Sequence, residues 1–388
     1  MSEAAVAGDR STEPIADHRR NNIDTLRLLA ALAVLFAHAF VLAEPGARDP
    51  VTANLQKILP LQRGLSGQAV ALFFVVSGYL VTASFARRGQ LGSYAASRLL
   101  RIMPALWAAL ILTVLVATVI TTLPAGEFLT QRTTAGYLLH NASLLDLRYE
   151  LAGVFSANPS KEVNVSLWTL PLEFGMYVVV AAVGLIGLLR RRGLFNLAVV
   201  AAFAAYVLAG GKLPLIGSSH DAELLLTFVA GAALYVNRES IPLRGPAALA
   251  ALVATMALSP LSAPLANLVI IVGFAYAVLW LGFSRDVRLP NLAARGDLSY
   301  ATYLYAALVT QLWLFAIGPF SPWLLALATA AVTLPLAWLS WHLVESPALR
   351  AKPRVAEALS RRRGTGGPRV GSTEPLAHRA ATEPPTPR

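Results

Sequence analysis

Hydrophobic residues in this chain fall into long unbroken runs separated by short polar connections, without the alternation expected of strands. Runs of about 20 residues, enough to cross a hydrocarbon core as helix, cover 25–43, 67–86, 103–123, 168–189, 194–210, 221–236, 246–261, 265–283, 298–317 and 322–344. The pattern predicts an all-α polytopic membrane bundle of about ten transmembrane helices, with 194–210, 221–236 and 246–261 the shortest crossings. Flanking the membrane domain at 21–350, residues 1–20 and the Arg-, Pro-, Gly- and Thr-rich tail at 351–388 are expected to be disordered, the basic tail facing anionic lipid. The longest connection between runs, 124–167, mixes charge, aromatics and asparagines and suits short helices lying over a membrane face.

Composition sharpens this picture. A content of 56% hydrophobic and 14% charged residues over 388 positions excludes a soluble domain of this length. The net charge of +11 would suit a nucleic-acid partner, but the basic residues sit between the apolar runs and in the tails, so no such partner is expected. With both tails on one side, alternation puts 24 of the 32 Lys and Arg residues on that side and 7 on the other, with Arg27 inside the first run. This bias predicts that both termini and the connections on their side are cytoplasmic. Absence of cysteine excludes disulfides, a thiol nucleophile and thiolate metal sites, and no metal is expected. The residues before Arg20 show no pattern of a cleaved leader.

Polar groups inside the runs are the candidates for chemistry, because each is costly in hydrocarbon. Arg27 and His38 lie 11 residues apart in the first run. At helical pitch they share a face and stand about 16 Å apart along the axis. Glu173, in SLWTLPLEFGMY, lies about five residues inside the start of its run, the same distance that separates His38 from the end of the first. That count predicts an imidazole and a carboxyl at one depth, paired either for acid–base work or to fix helix packing. Arg98 and Arg101, in the loop around RLLRIMPALW, lie three apart and would share one helical face. With Arg27 they would form a basic mouth suited to phosphate, although positive-inside bias accounts for them equally well. Ser77 and Gly78 in FFVVSGYL read as close-packing residues, Tyr300 and Tyr303 as an interfacial aromatic belt, and Gln311 as packing glue. Glu345 is expected to pair with an arginine.

Six blocks, in this order, carry a resemblance: IDTLRLLAALAVLFAHA, FFVVSGYLV, RLLRIMPALW, NVSLWTLPLEF, DLSYATYLY and SWHLVESPALR. Together they span 22–350 and resemble the acyltransferase-3 family of integral-membrane O-acyltransferases. The resemblance implies ten transmembrane helices, an acyl-CoA donor (acetyl-CoA first), and a carbohydrate or glycolipid acceptor. It makes His38 the catalytic base and Glu173 its partner, and assigns Arg27, Arg98 and Arg101 to donor binding. Two departures stand out. Many members carry a histidine where this chain has Ala306, and the chain ends before the extracytoplasmic hydrolase-like domain of some relatives, so the membrane domain or a separate partner is expected to complete transfer.

The expected mechanism is direct transfer, with an acyl-histidine as the alternative. A transporter of glycans or small amphiphiles, with His38 and Glu173 carrying a proton, is the rival reading. The orientation can be tested by labelling, since the sequence offers no background thiol. Arg191→Cys should react with a membrane-impermeant maleimide only after cells are permeabilised, and Glu150→Cys should react in intact cells. The opposite pattern would invert the topology.

Overall fold

A computed structural model of the chain describes residues 21–361, apart from 59–62, 214–215, 217, 259, 262–263, 293 and 295. The described residues are helical and contain no strand. In chain order the helices are α1 (Ile23–Ala43), α2 (Pro50–Ile58), α3 (Leu65–Arg88), α4 (Leu91–Ile120), α5 (Ala125–Thr130), α6 (Arg132–Ser143), α7 (Leu170–Leu185) and α8 (Arg192–Leu208). They continue with α9 (Ser219–Val236), α10 (Gly245–Leu258), α11 (Pro264–Phe283), α12 (Ser299–Ile317), α13 (Pro322–Ser340), α14 (Ser346–Arg350) and α15 (Lys352–Arg361). Helices satisfy every backbone group internally, which makes them the open-ended solution for a chain this apolar in a bilayer.

Each expected run contains a helix, and seven helical stretches are long and apolar enough to cross a membrane. The other three fall short for identifiable reasons. Helices α8 and α10 are apolar but only 17 and 14 residues long, and the 18 residues of α9 include Asp221 and Glu223. Helix α4 begins 12 residues before the expected 103 and runs for 30, so Arg98 and Arg101 lie within a helix and not in a loop. The connection after α4 holds two short helices, α5 and α6, as its composition suggested. The tail does not begin as disordered chain: Lys352–Arg361 is helix α15, packed along α4, while 1–20 and 362–388 lie outside the described residues.

Helix α12 is the axis of the bundle. Its residues from Ser299 to Gln311 are buried on every face, and α1, α13 and the start of α4 pack around it. Helix α1 also packs on α3, and α3 on α9. The α3–α9 crossing depends on two glycines facing each other's backbone. A Cβ at Gly78 would fall 2.0 Å from the Phe228 carbonyl oxygen, and one at Gly231 would fall 2.2 Å from that of Val75. Lipid supplies no hydrophobic force between helices, so close packing of this kind carries the association. Large side chains on α8 and α10, such as Leu197, Val200, Leu249 and Val253, remain exposed and face the lipid.

The start of α1 is fixed by side chains. Asn22 Nδ2 donates to the carbonyls of Leu281 and Val287, both at 2.7 Å, and its Oδ1 accepts from Leu289 N at 3.0 Å. Thr25 Oγ1 donates to Pro290 O at 2.8 Å. These bonds lash α1 to the connection that leads into α12.

Gly78→Ala should push α3 and α9 apart and cost about 1–3 kcal/mol, read as a lower midpoint of thermal unfolding in detergent. Gly175→Ala, where an added Cβ meets nothing within 4 Å, should leave the midpoint unchanged or slightly raised.

Candidate active site

The chain between α6 and α7 does not stay at the end of the bundle. Asn158 Nδ2 donates to Gln311 Oε1 at 2.8 Å, and Gln311 Nε2 donates to the carbonyls of Ser160 and Glu162 at 2.9 and 2.6 Å. Further on, Asn164 Nδ2 donates to Leu304 O at 2.8 Å, and the Thr169 and Tyr303 hydroxyls share a bond of 2.8 Å. As the chain advances from 158 to 169 it descends along α12 from position 311 to position 303, about 12 Å at helical rise. Irregular backbone is tolerated at this depth because protein partners satisfy it. A 3-10 turn over Val165–Thr169, capped by Asn164, then hands over to α7, with Pro171 in the first turn where no amide donor is lost.

This descent decides where Glu173 lies. Its Oε1 accepts from Ser77 Oγ at 2.7 Å, halfway along α3, and from Tyr177 OH at 2.6 Å. The Tyr177 backbone carbonyl in turn accepts from the hydroxyl of Tyr94, in the first turn of α4, at 2.8 Å. Arg98 completes the chain: its guanidinium carbon lies 5.6 Å from the centre of the Tyr177 ring. Glu173 is therefore one turn from a tyrosine packed at the arginine-rich end. Ser77 and Tyr177 are its partners, and no hydrogen bond joins it to His38. The apolar run that holds Glu173 begins where Thr169 meets Tyr303 of α12, inside the bundle, and its carboxyl turns to α3 and to Tyr177.

At the arginine-rich end, Arg27 Nη1 and Arg101 Nη2 both bond to a single oxygen, Oδ2 of Asp297. The other oxygen, Oδ1, accepts from Ser299 N at 3.1 Å and Ser299 Oγ at 2.5 Å. Burial raises the Asp297 pKa, but Arg101 and Arg27 outweigh it and hold the carboxyl well below the usual carboxylate range. Asp297 stays charged wherever its arginines do. On the far side of Arg101, Glu345 Oε2 lies 3.8 Å from Nη1, and the Trp341 ring centre is 6.0 Å from the guanidinium carbon. Glu345 reaches inward because Trp341–Glu345 forms a π-helical turn, which shifts the register of the helix end. Two guanidinium groups thus face two acids, whereas among the described residues Arg98 has no carboxylate partner, and its Nε is buried without a bond.

His38 stands at the opposite end of the shared α1 face. Its Nδ1 is sealed from solvent and has no hydrogen-bond partner, while the residue as a whole keeps partial accessibility. Nε2 is therefore the nitrogen left to meet a hydroxyl.

Of the five residues singled out from sequence, Arg27 and Arg101 meet at Asp297, Arg98 and Glu173 are linked through Tyr177, and His38 stands apart. Gln311 is packing glue as expected. Tyr300 and Tyr303 are not an interfacial belt: both are buried, and Tyr300 OH donates to Ile102 O at 3.1 Å. Asp297 and Tyr177 were missed. The signal for Asp297 was an acid two residues before a serine at the start of an apolar run, a helix-start pattern that gives no hint of the two arginines. Among the described residues no group of three or more His, Cys, Asp or Glu is arranged to hold a metal.

The family profile described as an acyltransferase domain matches residues 20–342, covering the whole arrangement from α1 to the end of α13. The chain belongs to the acyltransferase-3 family. It is 32% identical over 379 residues to nodulation protein 10 of Rhizobium leguminosarum bv. viciae, covering 90% of this chain and 99% of that protein. It is 30% identical over 370 residues to the O-acetyl transferase of Shigella phage Sf6, covering 87% and 99%. No solved structure matches. The chain is thus a multi-pass membrane acyltransferase that transfers groups other than aminoacyl groups, and the transporter reading gives way.

If Gln311 pins the descending segment, Gln311→Leu should strand the Ser160 and Glu162 carbonyls and cost about 1–3 kcal/mol. Limited trypsin digestion should then cut at Lys161 at least several-fold faster than in the parent.

Proposed function

We propose that this acyltransferase-3 protein moves an acyl group, acetyl first, from acyl-CoA to a hydroxyl of a surface carbohydrate or glycolipid at a bacterial inner membrane. The observation that carries the reading is the face of α1, which sets a guanidinium cluster and an imidazole whose Nδ1 has no hydrogen-bond partner about 16 Å apart. The phage relative's name as an O-acetyl transferase supports the choice of group and of an oxygen acceptor. In this reading the arginine-rich end faces the cytoplasm, as the distribution of basic residues suggests, and takes the donor's phosphates. Arg98, the guanidinium without a carboxylate, meets them first.

The acceptor hydroxyl approaches His38 from the other side. Nε2 takes its proton as the oxygen attacks the thioester carbonyl; the carbon–sulfur bond then breaks, and the departing thiolate recovers the proton from the imidazolium. Ester and free CoA are the products, and no acyl-histidine forms. Glu173 serves this scheme as a positioning residue. It holds the hydroxyls of Ser77 and Tyr177, and so the ring on which Arg98 rests.

Reconstituted protein given acetyl-CoA and a glycan acceptor should release CoA thiol, which a thiol reagent detects without background from a chain that has no cysteine. His38→Ala should lower that rate by about 10²–10⁴-fold while CoA still binds. A rate within tenfold of the parent would remove His38 as the base, and label from radioactive donor on His38 without acceptor would replace direct transfer by a covalent route.

A further inference from the structure

Two arginines and two carboxylates in an apolar bundle would gain most by forming two forked pairs, each acid meeting one guanidinium through both oxygens. The arginine-rich end does not do this. Asp297 offers one oxygen to both Arg27 and Arg101, and its second oxygen is turned away onto Ser299. Glu345 is 2% exposed, stands 3.8 Å from Arg101, and has no hydrogen bond on either oxygen. A guanidinium has five N–H donors, and each arginine uses only one on Asp297. One acid is shared through a single atom and the other is idle. A structural ion pair has no reason to be so under-used, and buried polar groups without partners call for an explanation beyond packing.

We propose that Asp297 is a built-in stand-in for a donor phosphate. Its Oδ2 occupies the place between Arg27 and Arg101 where a phosphate oxygen of acyl-CoA binds, and the donor displaces it. This rests on the acyl-CoA reading above. Arg101 has a second acid at hand in Glu345, so it is not left without a counter-ion during the exchange. When no donor is present, the stand-in offsets part of the charge of the two guanidinium groups. It also holds donor affinity below what three free arginines would give, which lets the product CoA leave.

The test is equilibrium dialysis of radiolabelled CoA against the purified full chain in detergent, with phosphate-free pantetheine as the comparison. Asp297→Asn keeps the shape and removes the charge; it should bind CoA about tenfold more tightly, with a steeper loss of affinity on adding salt and no change towards pantetheine. Ser299→Ala removes the hydroxyl bond that turns Asp297 into place and should tighten CoA about threefold, so it decides the matter if Asp297→Asn does not fold. CoA binding that is unchanged or weaker in a folded variant overturns the stand-in, as does an equal gain for pantetheine. A parent protein that binds no CoA removes the donor reading as well, whereas a parent that binds CoA with unaltered variants removes the stand-in alone.

Discussion

Charge buried in hydrocarbon must find its counter-charge within the protein, and this constraint organises the arginine-rich half of the bundle. Arg27 on α1 and Arg101 on α4 are largely buried, and both close on Asp297 at the head of α12. That contact explains why α12 is the buried axis and why the preceding connection is lashed to Asn22 and Thr25. It also explains the π-helical turn, which brings a second acid within reach of Arg101. The paired charges thus add to the bonds of Asn22, Thr25 and Tyr300 in fixing the register of α1, α4 and α12.

A second polar system runs beside this one without merging with it. Glu173, Ser77, Tyr177 and Arg98 form a continuous set of contacts from the middle of α3 to the first turns of α4. It is anchored by the descending segment, which enters α7 from inside the bundle. His38 belongs to neither system. For an acid–base group this is a coherent state: an imidazole already hydrogen-bonded by the protein would have to give up that partner before taking a proton from a substrate.

The helical bundle, its central helices and the pairing of distant blocks were legible in the sequence because membrane crossings leave long apolar runs. What was not legible follows from the same fact. Helix α4 starts early because RLLRIMP is polar enough to look like a loop but is covered on its apolar side by α12 and α15. The partners of Glu173 were hidden because hydropathy marks where apolar residues begin, not which helices they meet. Tyr300 and Tyr303 looked interfacial since tyrosine serves both membrane surfaces and buried hydroxyl networks, and only the partners Ile102 and Thr169 distinguish the two. Asp297 was hidden because its importance comes from residues 270 and 196 positions away.

The descent of 158–169 puts polar chain where a further apolar helix would otherwise stand. Over about 12 Å of its length α12 is flanked not by apolar helix but by peptide groups and the side chains of Asn158, Asn164 and Thr169. If the acceptor enters there and the donor from the arginine-rich end, each travels only part of the bilayer's width. The bond between them can then be made without either water-soluble molecule crossing to the other side, and only the small acyl group changes compartment.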